Sequence, residues 1–390
     1  MKISTPLPMP NDEAIQHSQY LQEKIINEIA DHEGYIPFSR FMEMALYEPE
    51  LGYYVAGKNK IGSQGDFVTA PDISPLFSQC MANQCIEVLN ELLDGSILEF
   101  GAGNGNMAAN ILLHLEQNTS LPHTYLILDI SPHLQAVQRE TIERLAPHLL
   151  EKVHWITELP SHFNGIVLAN EILDAMPVTL FEKTKDAYWT LGVSLDDNQQ
   201  LTTQKRLASK DLRASLEQLK INTDSSSYIS EHNPHIRPWL NSLYQMMDCG
   251  VVLLIDYGYT RSEYYHADRT MGTLICHYQQ LVHDDYLWFP GLQDITANVD
   301  FTAVAEAADN AGLNVYGYTP QASFLIANHL ETLLMQALEN KADEQYALSQ
   351  QTRTLTLPSE MGERFKIIGL TKQWDKSLQG FQLNNQLHKL

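Results

Sequence analysis

The chain has 390 residues, more than one minimal domain needs, so two units or one decorated unit are expected. Its 25 Lys+Arg against 48 Asp+Glu leave a formal net charge of −23. That charge sets most of the surface against a phosphate backbone, so a nucleic-acid partner is not expected, while a cationic protein partner is permitted.

The four cysteines, Cys80, Cys85, Cys249 and Cys276, form no CxxC pair and read as free thiols in a reducing compartment. Met1 to Glu13 carries no basic or apolar run that would mark a targeting peptide. No apolar stretch reaches the roughly 18–20 residues that span a bilayer. A cytoplasmic protein without a membrane partner is expected.

In chain order, residues 14–31 are expected to be helical, with Ile15, Leu21, Ile25, Ile26 and Ile29 near helical spacing. A second helix is expected over 39–47, with Ser39 as its N-cap, and a third over 76–94. Between them, 57–75 is rich in Gly, Pro and Ser and reads as loop. From 96 onward short apolar strands alternate with helices: strands at Ser96–Phe100, Tyr125–Asp129, Val153–Ile156 and Ile166–Ala169, helices at Asn104–Leu115 and Pro132–Leu145. This alternation implies a parallel sheet with right-handed crossovers. Residues 178–206 break the rhythm and read as inserted antiparallel strands, and 207–227 as helix or linker. A helix at 237–248 leads into a wholly apolar strand at Val251–Asp256, then a long excursion over 259–298. Helix Phe301–Ala311 stops at Gly312, and strands at Val315–Tyr318 and Phe365–Leu370 close the chain.

The strongest local signal is Glu99-Phe100-Gly101-Ala102-Gly103-Asn104-Gly105. Alternate glycines after a strand let the backbone turn sharply and approach a ligand, and the next helix offers free N–H groups to a carboxylate. A dinucleotide fingerprint would need glycine at 106, which is Asn106. The spacing therefore favours S-adenosylmethionine over NAD. A purely structural turn is the plain alternative. Asp129 ends the second strand beside this loop, where it can accept hydrogen bonds from two ribose hydroxyls or simply cap the next helix. Ile130, Glu158, Leu159 and Asn170, which follow the second, third and fourth strands, complete this part of the candidate cofactor set.

Asn170-Glu171-Ile172-Leu173-Asp174 comes straight after the fourth strand, where open α/β sheets bind ligands. Glu171 and Asp174 share a face if this turn is helical and could hold a cationic nucleophile; helix capping is the competing role. Asp256 is a further candidate at the end of the fifth strand. The fifteen histidines form no ligand set with metal spacing, so no metal is expected.

Further motifs extend over most of the chain: Phe41-Met42-Glu43-Met44-Ala45-Leu46-Tyr47 with Leu51-Gly52-Tyr53-Tyr54, then Gly65-Asp66-Phe67-Val68-Thr69-Ala70-Pro71. Ile255-Asp256-Tyr257-Gly258-Tyr259 and Asp294-Ile295-Thr296-Ala297 follow. With Asn170-Glu171 and Asp174-Ala175, these make the chain resemble the MidA family of methyltransferases, from about Ile36 to the C-terminus. That family includes a mitochondrial complex I assembly factor that methylates an arginine of a complex I subunit. Asp72, Ser78 and Asn298 stand where the family pattern has Glu, Gly and His.

The resemblance implies that the segment from Gly65 through Asp66 to Thr69 folds over the cofactor. It also implies a Rossmann-like, seven-stranded class I methyltransferase sheet. Residues 1–94 would form an N-terminal helical extension and cofactor lid. Residues 95–390 would form the methyltransferase domain, with an inserted α+β lobe from about 178–227 and 259–298. The expected activity is methyl transfer from S-adenosylmethionine to an arginine of a partner protein, with Glu171, Asp174 and Asp256 as candidate catalytic carboxylates. An assembly factor that binds the cofactor without turnover, or another methyl acceptor, is the alternative.

Overall fold

Stretches such as Val251–Ile255 are apolar at every position, as expected of strands covered on both faces. A computed structural model describes all residues except 1–6, 57–68 and 341, and it lays seven strands side by side in one sheet, with the two-residue strand Val299–Asp300 paired to the end of one of them as an eighth. They are β1 (Ser96–Phe100), β2 (Tyr125–Leu128), β3 (Val153–Ile156), β4 (Phe163–Asn170), β5 (Met247–Tyr259), β6 (Asn314–Pro320) and β7 (Phe365–Lys372). The spatial order is β6-β7-β5-β4-β1-β2-β3, with β1 to β5 parallel and β7 antiparallel to both neighbours. The seven-stranded, mostly parallel sheet is the expected one.

Alternate residues sort to the two faces. Ile97, Ile127, Leu168, Leu253 and Ile255 meet the helices Pro75–Glu91 and Asn106–Gln117. Leu98, Val167, Val252, Leu254 and Ile368 meet Ile236–Met246 and Phe301–Ala311. Chain direction across the sheet reverses between β1 and β4, which opens a crevice at their carboxyl ends.

A third apolar cluster gathers segments distant in sequence. Leu21 and Ile25 of helix Asp12–Asp31 and Phe41 of helix Phe38–Tyr47 pack with Leu180, Val193, Cys276 and Ile295. A five-stranded antiparallel sheet covers this lobe. It is built from Ile36–Pro37, Thr179–Thr184, Tyr188–Leu195, Leu201–Leu207 and Ser227–His232. Ser227–His232 pairs back onto Thr179–Thr184, so the insertion expected to end near 227 runs to His232. The excursion over 259–298 holds a small sheet of Ile275–Tyr278, Leu281–His283 and Asp294–Thr296. Buried Glu231 fastens this segment by accepting from the backbone N–H groups of Thr273 and Leu274 and from the Tyr264 hydroxyl.

Some boundaries differ from expectation. The helix after β1 starts at Asn106, not Asn104, because Gly101, Gly103 and Gly105 hold φ of 58°, 53° and 84°, outside helical space. Within the expected loop over 57–75, Ala70–Ile73 is a short helix, and Ser74 caps the helix that begins at Pro75. Three helices, Gln321–Ala327, Leu330–Asn340 and Gln345–Thr356, occupy a stretch where no element was anticipated.

Candidate functional site

The carboxyl ends of β1, β2, β4 and β5 open into a cavity of about 790 Å³. Gly101 and Gly103 form its floor. A Cβ at Gly101 would come within 2.6 Å of Ile172 Cδ1, so a side chain there would push that terminal methyl aside, and the φ of 58° disfavours any residue but glycine. Gly105 does not line the cavity. It is the N-cap of the next helix, and its Cα faces the Gln138 backbone, where a Cβ would approach to 2.9 Å.

The loop is held from two sides, by residues that sequence reasoning had named and by Gln138, which it had not. Asp72 Oδ1 accepts from the side-chain amides of Asn104 at 2.7 Å and Asn106 at 2.8 Å, and Thr69 Oγ1 donates to Asp72 Oδ2 at 3.1 Å. Asn106, the residue that spoils a dinucleotide fingerprint, is thus a tether. On the other side Gln138, fully buried, donates to Asp129 Oδ2 at 2.7 Å and to the Gly103 carbonyl at 3.1 Å, while Trp155 Nε1 donates to Gln138 Oε1 at 2.9 Å. Its only sequence cue is a position nine residues beyond Asp129 on the following helix.

Asp129 lines the cavity. Its Oδ1 accepts from Ser131 N at 2.9 Å, and Ser131, not Asp129, caps the helix Pro132–Leu145. A carboxylate has about four lone-pair sites, so both oxygens can still accept from a ligand. Burial pushes its pKa up, opposed by the Ser131 and Gln138 hydrogen bonds. Glu99, at the end of β1, accepts from Tyr125 OH at 2.6 Å; burial outweighs that bond and raises its carboxyl to about 7. Ile130, Asn170 and Thr69 also line the cavity.

At the mouth of β4 the backbone is strained. Glu171 has φ 54°, unusual for a side chain of its kind, and is held there by its N–H bonded to the Ile255 carbonyl at 2.8 Å. Its carboxylate accepts from Asn170 Nδ2 at 3.1 Å, and its exposed surface faces the cavity interior. Burial, with Asp174, Asp294 and Asp72 nearby, raises it to about 8. Asp174, also in the cavity wall, is raised to about 6 by burial, with the Tyr257 hydroxyl opposing. Asp174 Oδ1 is buried without a hydrogen-bond partner among the described residues. Neither carboxylate has an ion pair among those residues.

Two tyrosines of the N-terminal segment roof this end. Tyr47 and Tyr54 stack at 5.6 Å between ring centres. Tyr47 OH donates to the Ala175 carbonyl at 2.9 Å and Tyr54 OH to Asp294 Oδ1 at 2.8 Å.

Three expected site residues lie elsewhere. Asp256 is fully buried and does not line the cavity; its Oδ2 accepts from Leu173 N at 3.0 Å and Asp174 N at 3.2 Å, and its Oδ1 from Tyr257 N at 2.9 Å. It shapes the turn that presents Asp174. Glu158 is exposed, and Leu159 packs against the apolar cluster on the β4 side; neither lines the cavity, because the chain has left the sheet edge by Thr157. Gly65 and Asp66 lie outside the described residues.

The family described as "Putative S-adenosyl-L-methionine-dependent methyltransferase" matches residues 80–319. The mitochondrial protein arginine methyltransferase NDUFAF7 homolog of Drosophila melanogaster is 26% identical over 368 residues, spanning 86% of this chain and 82% of that protein. The human protein arginine methyltransferase NDUFAF7 is 26% identical over 369 residues, with 86% and 80% covered. A crystal structure of a protein from Burkholderia thailandensis bound to S-adenosyl-homocysteine shares 38% identity and superposes with a TM-score of 0.95, covering 99% of this chain and all of that one.

Proposed function

This chain belongs to the S-adenosyl-L-methionine-dependent methyltransferase family, and we propose that the group it methylates is the guanidinium of an arginine in a partner protein. The observation that carries the reading is the pair Glu171 and Asp174: two enclosed carboxylates, facing one cavity, with no cation against them among the described residues. Buried charges of one sign are costly unless an opposite charge arrives. A guanidinium supplies that charge in planar form and can be gripped through paired N–H donors. The names of the mitochondrial relatives, protein arginine methyltransferases, support the same acceptor.

The residues present fit the cofactor. Gly101, Gly103 and Asn104 line the cavity, and Asn170 Oδ1 is a buried acceptor without a partner among the described residues. In this reading Asp129 takes the ribose hydroxyls, and Gly101, Gly103 and Asn104 cradle the amino-acid end. Glu99 offers negative charge beneath it. When bound, S-adenosylmethionine supplies an electrophilic methyl on a sulfonium centre.

The chain's own groups do the rest. Glu171 and Asp174 orient the guanidinium, and Tyr47 and Tyr54 exclude water above it. A nitrogen that gains a methyl must shed a proton, and the Glu171 carboxylate stands ready to receive it. Raised to about 8, this carboxyl is mostly protonated in the empty site near neutral pH; the arriving guanidinium favours its ionised form, which is then basic enough to take the proton. Positioning and preorganised charge are the main contributions the protein makes.

The test is transfer of labelled methyl from the cofactor into a lysate lacking this protein, followed by mapping of the labelled residue. Label on arginine of a protein is the expected result. Label on a small metabolite, on RNA or on another side chain would overturn the acceptor assignment and leave the methyltransferase activity standing.

A further inference from the structure

The cavity mouth carries a charge that the site described so far does not use. Six carboxylates line the cavity, from Glu99, Asp129, Glu171, Asp174, Asp294 and Glu360. Against them stands one arginine, Arg364, and no lysine among the described lining residues. Arg364 is exposed, and among the described residues its side chain has no ion pair. Its backbone is fixed, since its carbonyl accepts from Gly258 N and the next residue, Phe365, pairs with Tyr257 in the sheet. The neighbouring histidine in the lining, His277, has its pKa lowered by burial, with His283 and Arg364 adding to the effect. Among the described lining residues, Arg364 is the one that carries a permanent positive charge.

Its place along the sheet edge gives this charge a meaning. From β2 to β7 the edge presents Asp129, the glycine loop, Glu171 with Asp174, Tyr257, and then Arg364. Strands lie about 4.8 Å apart, so Arg364 stands roughly 14 Å from the glycine loop and roughly 10 Å from the acceptor carboxylates. It is on the side away from the cofactor. We propose that Arg364 forms an anion subsite of the acceptor pocket, which selects an arginine carrying an acidic residue within about three positions of it in an extended segment. This inference rests on the arginine reading above. It also runs against the field of the whole molecule, whose charge of −23 attracts basic segments.

That opposition makes the test decisive. The full chain, saturated with S-adenosylhomocysteine, is applied to immobilised heptapeptides with a central arginine. The flanking positions carry Asp or Glu, neutral residues, or Lys. Wild type should retain the acid-flanked peptides about three- to fivefold better than the Lys-flanked ones, the scale of one solvent-facing ion pair. Arg364→Gln should erase the preference and Arg364→Glu should reverse it. Both variants should keep the wild-type melting temperature and affinity for S-adenosylhomocysteine.

Stronger retention of Lys-flanked peptides by wild type would overturn the subsite. So would a preference unchanged in Arg364→Glu, or retention of no peptide at all. Loss of S-adenosylhomocysteine affinity in Arg364→Glu would assign the charge to the cofactor instead and likewise overturn it. Equal retention of peptides whose central arginine is replaced by norleucine, with the acid preference intact, would take down the arginine reading and leave the anion subsite standing.

Discussion

The side-chain amide of Gln138 donates to Asp129 at 2.7 Å while the same nitrogen reaches the Gly103 carbonyl at 3.1 Å. One buried glutamine thus sets the distance between the glycine turn and the acid beside it. Gln138→Leu has similar volume but leaves Asp129, Gly103 O and Trp155 Nε1 short of a partner. Affinity for S-adenosylhomocysteine should fall about tenfold and stability by about 1–3 kcal/mol. Calorimetry and a melting curve on the same preparation check both, and unchanged affinity in a folded variant would remove Gln138 from the site.

Glu171→Gln keeps the shape of the β4 turn and removes the charge. Cofactor affinity should stay at the wild-type level while turnover falls on the order of 10²-fold, the usual loss for one preorganised electrostatic partner. Binding by calorimetry and transfer by labelled methyl separate the two effects. A variant that transfers methyl normally would clear Glu171 of any part in the reaction.

Glu171 and Asp174 bind their protons more tightly in the folded chain than in the unfolded one, since their values rise to about 8 and about 6. Their contribution to folding is therefore present at low pH and is lost as pH rises through those values. Glu171→Gln cannot ionise. Its melting temperature should lie close to wild type near about pH 5 and above it near about pH 9. A difference that stays constant or narrows with rising pH would contradict the placement of Glu171 in an enclosed acidic pocket.

Asp256 accepts three backbone N–H groups at the turn that carries Asp174. Asp256→Asn puts an amide N–H where an acceptor is needed. Stability should drop by about 1–3 kcal/mol. The acceptor KM should rise while S-adenosylhomocysteine affinity holds. Rescue of KM by Asp256→Glu would fit a positioning role; loss of cofactor affinity in Asp256→Asn would speak against one.

The sheet was legible because strands buried on both faces need unbroken apolar runs, and Ile166–Ala169 and the core of β5 have them. The helix Phe301–Ala311 was legible because Gly312, at φ 97°, ends it in the way glycine allows. The glycine turn and the acids that line the cavity could be named for similar local reasons. Gln138, Tyr47 and Arg364 could not be given roles, because their partners lie 35, 128 and 106 residues away along the chain. Asp256 shows the converse error: an acid at a strand end looks catalytic until its three backbone donors are seen.

The lobe that roofs the cavity is completed by residues near both ends of a long interval. Ser18 Oγ donates to the Pro290 carbonyl at 2.8 Å, and Leu21 and Ile25 share a core with Cys276 and Ile295. On the ribosome, helix Asp12–Asp31 emerges long before the strands that cover it. At roughly 5–20 residues per second, its apolar stripe waits on the order of tens of seconds for those partners. During that wait the helix that later backs the roof of the cavity is itself an exposed greasy surface, and a nascent chain stalled before residue 297 would display it to any holdase within reach.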